Sequence, residues 1–161
     1  MIRVLFVCLG NICRSPLAEA IFNSKVKVAG MEAQFKCDSA GTSDFHIGEL
    51  PDERTVKCAA KYNLPLNHRG RQVNRTDFRD FEYILAMDDH NLRNLNNLKV
   101  RYGFGEKEIF LMRDFVTESQ GMSVPDPYYG GQEGFEEIYT ILDEAVDRFL
   151  SQLIATHHLY A

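Results

Sequence analysis

The chain has 161 residues, 45% of them apolar, and a formal net charge of −5. That length supports one domain with a substantial core and leaves little material for a second. The charge excludes a general attraction to nucleic acid or to an anionic membrane, and no basic run interrupts it, so any bound anion must be held by local donors.

The four cysteines, Cys8, Cys13, Cys37 and Cys58, form no C-x2-C pair and have no histidine at zinc-finger spacing. They suggest neither a disulfide framework nor a metal site, and they fit a reducing cytoplasm. The amino-terminal apolar run is too short for a secretory signal, and no segment reaches membrane-spanning length.

In chain order, Val4-Leu5-Phe6-Val7 predicts a strand buried on both faces and ending at Cys8. A polar loop, Leu9-Gly10-Asn11-Ile12-Cys13-Arg14-Ser15, follows, and Ser15-Pro16 predicts the N-cap and first residue of a helix. In such a unit the loop N–H groups and the positive end of the helix converge on a point suited to an anion of phosphate size. Arg14 can grip two phosphate oxygens with its planar fork, which a lysine cannot. Cys8 lies below that point, the same donors favour its nucleophilic form, and Ser15 can donate to its sulfur. Gly10 and Asn11 tolerate the positive φ that turns successive N–H groups inward. A buried structural cysteine beside an exposed arginine has the same C-x5-R spacing, but does not call for the preceding strand, the Ser-Pro start or the Gly and Asn within. No Gly-Lys-Ser/Thr follows Gly10, which excludes a Walker-type loop.

Residues 16 to about 29 follow helical spacing and stop at Gly30, and residues 34–40 alternate as a second strand, closing a β-α-β unit with parallel strands. Pro51 opens a second helix with Val56, Ala59 and Ala60 inward, while residues 67–81 are polar and take no assignment. Residues 82–87 form a third strand stopping at Asp88; Leu92, Leu95 and Leu98 mark a third helix; residues 108–112 form a fourth strand. A long loop, 113–131, leads into the strongest helical pattern, from Phe135 to Leu153, and His157 and His158 read as a frayed tail. The alternation predicts a three-layer α/β/α sandwich with a four-stranded parallel sheet and a phosphate loop after the first strand. Open parallel sheets bind ligands beyond the carboxyl ends of their strands, where Cys8, Ser39, Asp88 and the loop carrying Asp126 all fall.

Val7-Cys8-Leu9-Gly10-Asn11-Ile12-Cys13-Arg14-Ser15-Pro16 resembles the signature of the low-molecular-weight protein tyrosine phosphatases, and later stretches match across nearly the whole chain. The resemblance implies a phosphatase, independent of metal and cofactor, that acts on phosphotyrosine in proteins and on small aryl phosphates. It also implies a phosphocysteine intermediate on Cys8, a phosphate clamp at Arg14 and inorganic phosphate as product.

A thiol displacing an ester oxygen from phosphorus needs a proton donor for the leaving group. Asp126, in the stretch Asp126-Pro127-Tyr128-Tyr129, is the candidate acid, and then base toward the water that hydrolyses the intermediate. On the residues alone an ordinary Asp-Pro turn accounts for it better; the family places its acid in the same D-P-Y setting. Asn11, Ser15, Ser39 and His68 resemble the family's hydrogen-bonded support for the loop, needed because a loop with inward N–H groups leaves its carbonyls facing the protein behind it. His68 alone reads as an exposed loop residue, but with Arg69-Gly70-Arg71-Gln72 it matches the family's H-x-x-R-Q stretch. Asp88 can orient Arg14, cap the following helix, or do both.

Leu9, Ile12, Phe45, His46, Tyr128 and Tyr129 are candidates for a slot deep enough to admit a phenyl phosphate and exclude phosphoserine, although Phe45 and Ile12 also suit ordinary packing. Cys13 is a possible partner for a reversible disulfide with Cys8, or simply a small buried side chain. The alternative enzyme is an arsenate reductase of the same fold, which needs further thiols near the third strand, where residues 81–91 contain none. A module that only captures phosphotyrosine would need neither Cys8 nor Asp126.

Overall fold

The computed structural model describes residues 1–128 and 130–161. In chain order the elements are β1 (Ile2–Cys8), α1 (Arg14–Val28), β2 (Phe35–Gly41), α2 (Glu53–Ala60), α3 (Arg75–Asp80), β3 (Tyr83–Ala86), α4 (Asp89–Arg101), β4 (Ile109–Leu111) and α5 (Gln132–Thr156). The strands lie in the order β2-β1-β3-β4 and every pairing is parallel, so this is the three-layer sandwich with a four-stranded sheet that the pattern predicts. No helix among the described residues is long and apolar enough to cross a membrane.

The period of two divides β1 between the layers. Val4, Phe6 and Cys8 face α1 and α5, whereas Leu5 and Val7 face α3 and α4, and all five are buried. Phe6 meets Phe22 of α1 and Phe149 of α5 edge to face, with centroids 5.7 and 6.5 Å apart. Each buried ring contributes roughly 2–3 kcal/mol of apolar burial. On the other face Phe78 and Leu95 cover Ile84 and Ala86. The register sets Cys8 beside Gly41 and Val7 beside Ala86, so the loops following β1, β2 and β3 open at one edge of the sheet.

Several elements differ from the pattern. The first helix begins at Arg14 with Cys13 as its cap and no side-chain capping bond, because the Ser15 hydroxyl is taken by partners inside the loop. Pro16 still fits, since the first-turn N–H groups of a helix have no intrahelical acceptor. In α2 the cap is Asp52, and the inward face is Thr55, Cys58 and Ala59; Val56 is 38% exposed and Ala60 is exposed. Packing of Cys58 against Phe135 sets that phase, one residue away from the one that hydrophobicity alone selects. Residues 67–81 contain α3, held by a reciprocal capping box between Asn74 and Asp77. The long loop carries two 3₁₀ turns, Met112–Phe115 and Thr117–Ser119. His157 is tied down rather than frayed: its Nε2 lies 2.7 Å from the Tyr83 hydroxyl.

Candidate active site

The loop after β1 curls over its own strand end. Asn11 takes a φ of 59°, and its N–H points back to Cys8 Sγ at 3.3 Å. Carbonyls turned outward by this curl are met from behind: Thr42 N donates to Cys8 O, Ser43 N to Leu9 O and Asp52 N to Ile12 O, each at 2.9 Å.

The Asn11 side chain is the hub of the support. Its Nδ2 donates to Ser15 Oγ at 2.8 Å and Ser39 Oγ at 3.0 Å, while its Oδ1 accepts from Arg71 N at 3.0 Å and faces His68 Nε2 at 2.8 Å. A backbone N–H can only donate, so Arg71 fixes the amide orientation and requires His68 Nε2 to carry its hydrogen. Ser39 then donates to Glu19 Oε1 at 2.6 Å. Ser15 Oγ, already an acceptor from Asn11, lies 3.0 Å from Cys8 Sγ and 3.5 Å from Ala40 O, to which it can donate. All four expected supports are therefore joined in one network. Asn11→Ala removes the hub and puts alanine at a left-handed φ, so it should lower stability by roughly 2–4 kcal/mol, read from the urea midpoint. An unchanged midpoint would show that the network adds no stability.

Arg14 is 2% exposed. Its NH1 donates to Asp88 Oδ2 at 2.7 Å and to Val124 O at 3.0 Å, and its NH2 reaches Asp126 Oδ2 at 3.4 Å. Burial opposes the charge, but Cys8, Asp88 and Asp126 outweigh it and hold the guanidinium above its ordinary range. Asp88 performs both roles open to it, because its Oδ1 also accepts from Asn91 N at 2.7 Å and caps α4. Asp126 is exposed and accepts from Tyr128 N through Oδ1 at 3.0 Å, so the Asp-Pro turn and a carboxylate beside Arg14 coexist.

At the rim, His46 leans over Gly10 so closely that a Cβ there would lie 2.9 Å from His46 Cδ2. The His46 and Tyr128 rings are 6.2 Å apart, and Leu9 is half-buried. Phe45 is 74% exposed, whereas Ile12 is 8% exposed and packs beneath the loop with Cys58 and Phe135. Tyr129 lies outside the described residues. Cys13 is buried, and that burial pushes its thiol up to about 12; Cys8 and Cys13 are both free thiols.

Three contributors lie outside the expected site residues. Glu19 ends the support network, and burial pushes its carboxyl up to about 7 against the Ser39 hydrogen bond. Its signal is its place one turn after Ser15 in α1. Arg71 grips Asp77 with two bonds of 3.0 Å and Asp38 with a third of 3.0 Å. Arg54 joins α2 to the loop carrying Asp126, through bonds to the carbonyls of Tyr128 and Gly130. By composition Glu19, Asp38 and His68 could hold a metal ion, each offering one ligand atom within 4.8 Å of the others; here Ser39, Arg71 and Asn11 engage them.

Arsenate reduction finds no support, since the remaining thiols are placed for packing. Cys37 points to Asn23 Oδ1 at 3.2 Å and Cys58 to Phe135 O at 3.4 Å. Burial raises both, Cys58 to about 11 and Cys37 further.

Residues 3–158 match the family model for low molecular weight phosphotyrosine protein phosphatases. The Schizosaccharomyces pombe protein of that name is 42% identical over 153 residues, covering 94% of this chain and 97% of that one. A crystal structure of a protein tyrosine phosphatase from Entamoeba histolytica superposes with a TM-score of 0.88 at 36% identity, covering 98% and 99% of the two chains. A Drosophila arginine phosphatase superposes with a TM-score of 0.87 at 34% identity, covering 93% and 96%.

Proposed function

Because this chain belongs to the low molecular weight phosphotyrosine protein phosphatase family, we propose that it hydrolyses phosphotyrosine in proteins, and small aryl phosphates, through a phosphocysteine intermediate. One observation carries the reading: Cys8 Sγ receives the Asn11 N–H at 3.3 Å on a loop whose buried guanidinium reaches Asp126 Oδ2 at 3.4 Å.

The phosphoryl oxygens take the loop N–H groups and the Arg14 guanidinium. Cys8 Sγ attacks phosphorus in line; the S–P bond forms as the P–O bond to the phenol breaks, and Asp126 delivers its proton to the departing oxygen. Asp88 and Val124 O already hold Arg14 in place, so the clamp needs little reorganisation as charge develops. In the second step the Asp126 carboxylate takes a proton from water while the water oxygen attacks phosphorus. The S–P bond breaks, inorganic phosphate leaves and Cys8 is restored. Neither step uses a metal or cofactor. The four free thiols support a reducing, cytoplasmic setting.

The aromatic rim formed by His46 and Tyr128, whose rings are tilted by 51° to each other, suits a phenyl ring. The likeness to an arginine phosphatase raises phosphoarginine as a second substrate class. Purified protein assayed in chelator with phosphotyrosine, phosphoserine and phosphoarginine peptides should favour phosphotyrosine; preference for phosphoarginine would reassign the substrate. Asp126→Asn should lower kcat/KM, which reports only through P–O cleavage, by roughly 100-fold or more for phenyl phosphate, and much less for an aryl phosphate with an activated leaving group. An equal loss on both substrates would remove Asp126 from the acid role.

A further inference from the structure

The loop that carries Asp126 is fixed on its upstream side by Val124 N donating to Met87 O at 2.7 Å and by Arg113 NH1 donating to Ser123 O at 3.1 Å. Downstream it enters α5 at Gln132. Between those anchors Arg54, in the first turn of α2, donates NH2 to Tyr128 O at 2.8 Å and NH1 to Gly130 O at 2.9 Å. The guanidinium plane is itself fixed: Nε and NH2 donate to the two Asp52 oxygens at 3.0 Å each, and the group lies 4.7 Å from the Phe135 ring centroid.

The other end of this connection is the nucleophile loop, since Asp52 N donates to Ile12 O at 2.9 Å. A continuous strap thus runs from the Cys8 loop through Asp52 and Arg54 to the acid loop. It ends on the residue that positions the acid, because Tyr128 N donates to Asp126 Oδ1 at 3.0 Å. General acid catalysis depends steeply on where the proton donor stands, and an ångström of drift in a tethered carboxyl is costly. A lysine would keep the charge, but it lacks the planar fork that holds a carboxylate and two carbonyls together.

Building on the phosphatase reading above, we propose that Arg54 is a positioning residue that sets where Asp126 stands relative to Cys8, acting on leaving-group protonation without touching the substrate. The test compares wild type, Arg54→Ala, Arg54→Lys, Asp126→Asn and the Arg54→Ala/Asp126→Asn double variant on aryl phosphates with good to poor leaving groups. A thermal melt is recorded for each. Arg54→Ala should lose about tenfold more kcat/KM on the poorest leaving group than on the best. Arg54→Lys should show the same trend in weaker form, and it carries the test if the alanine variant melts below assay temperature. Adding Arg54→Ala to Asp126→Asn should cost nothing further.

A loss independent of the leaving group, or one that multiplies fully with Asp126→Asn, would overturn the proposal. The two readings fail separately. Leaving-group dependence in Asp126→Asn but not in either Arg54 variant removes the strap alone, whereas its absence in Asp126→Asn removes the acid assignment beneath it.

Discussion

Cys8→Ser is expected to lower turnover of an aryl phosphate by at least about a thousandfold and to leave the melting temperature nearly unchanged. The serine oxygen occupies nearly the same space at a position that is 2% exposed, and it can take over the contacts from Asn11 N and Ser15 Oγ. What it lacks is a reactive sulfur. The hydroxyl holds its proton near neutrality, and among the described residues no hydrogen bond to Cys8 Sγ comes from a histidine that could remove it. Vanadate should still bind, because the loop N–H groups and Arg14 are untouched, so titration with vanadate separates loss of chemistry from loss of the site. Turnover above a tenth of wild type would place the nucleophile elsewhere.

The second large effect belongs to Arg14, where activity and stability should fall together. Arg14→Ala removes a buried charge and leaves Asp88 Oδ2 and the Val124 carbonyl without the donor that now joins them. Breaking a buried pair from one side costs about 3 kcal/mol or more, and losing the clamp should cost roughly 100- to 1000-fold in kcat. Arg14→Lys sharpens the comparison. It restores a charge in the right region but supplies a single point of donation, so most of the stability should return while kcat stays well below wild type. Urea midpoints and kcat/KM on one aryl phosphate read both quantities. Wild-type turnover in the lysine variant would mean that charge, rather than the fork, does the work.

How far the molecule can be read from its residues depends on whether the signal is local. β1 is plain because a strand buried on both faces needs an unbroken apolar run, and Val4 to Val7 provide one. The site at the carboxyl edge of the sheet follows from strand order and register, and Cys8, Arg14, Asp88 and Asp126 meet there. Other features have no local mark. The six residues of α3 are fewer than two helical turns, so the Asn74 and Asp77 capping box is the only cue to it. The phase of α2 is chosen by Phe135, far along the chain, which buries Thr55 and leaves Val56 outside. Ser15 before a proline matches an N-cap, yet Cys8 and Asn11 compete successfully for its hydroxyl. Arg54 is the least legible of all, since its partners in the loop carrying Asp126 are backbone carbonyls, which leave no trace in residue identity.

The gathering of the site has a consequence for how the chain acquires activity during folding. Arg14 and Asp126 lie 112 positions apart, and β1 sits between strands that come from residues 35–41 and 83–86. Contacts of such separation form only after long stretches of chain have been closed into loops. A nascent or half-folded chain, even one holding β1 and α1 in place, presents Cys8 and Arg14 without Asp126 and Asp88. Activity that depends on these pairs requires both closures, so a recovered rate after refolding counts molecules in which Arg14 has met Asp88 and Asp126.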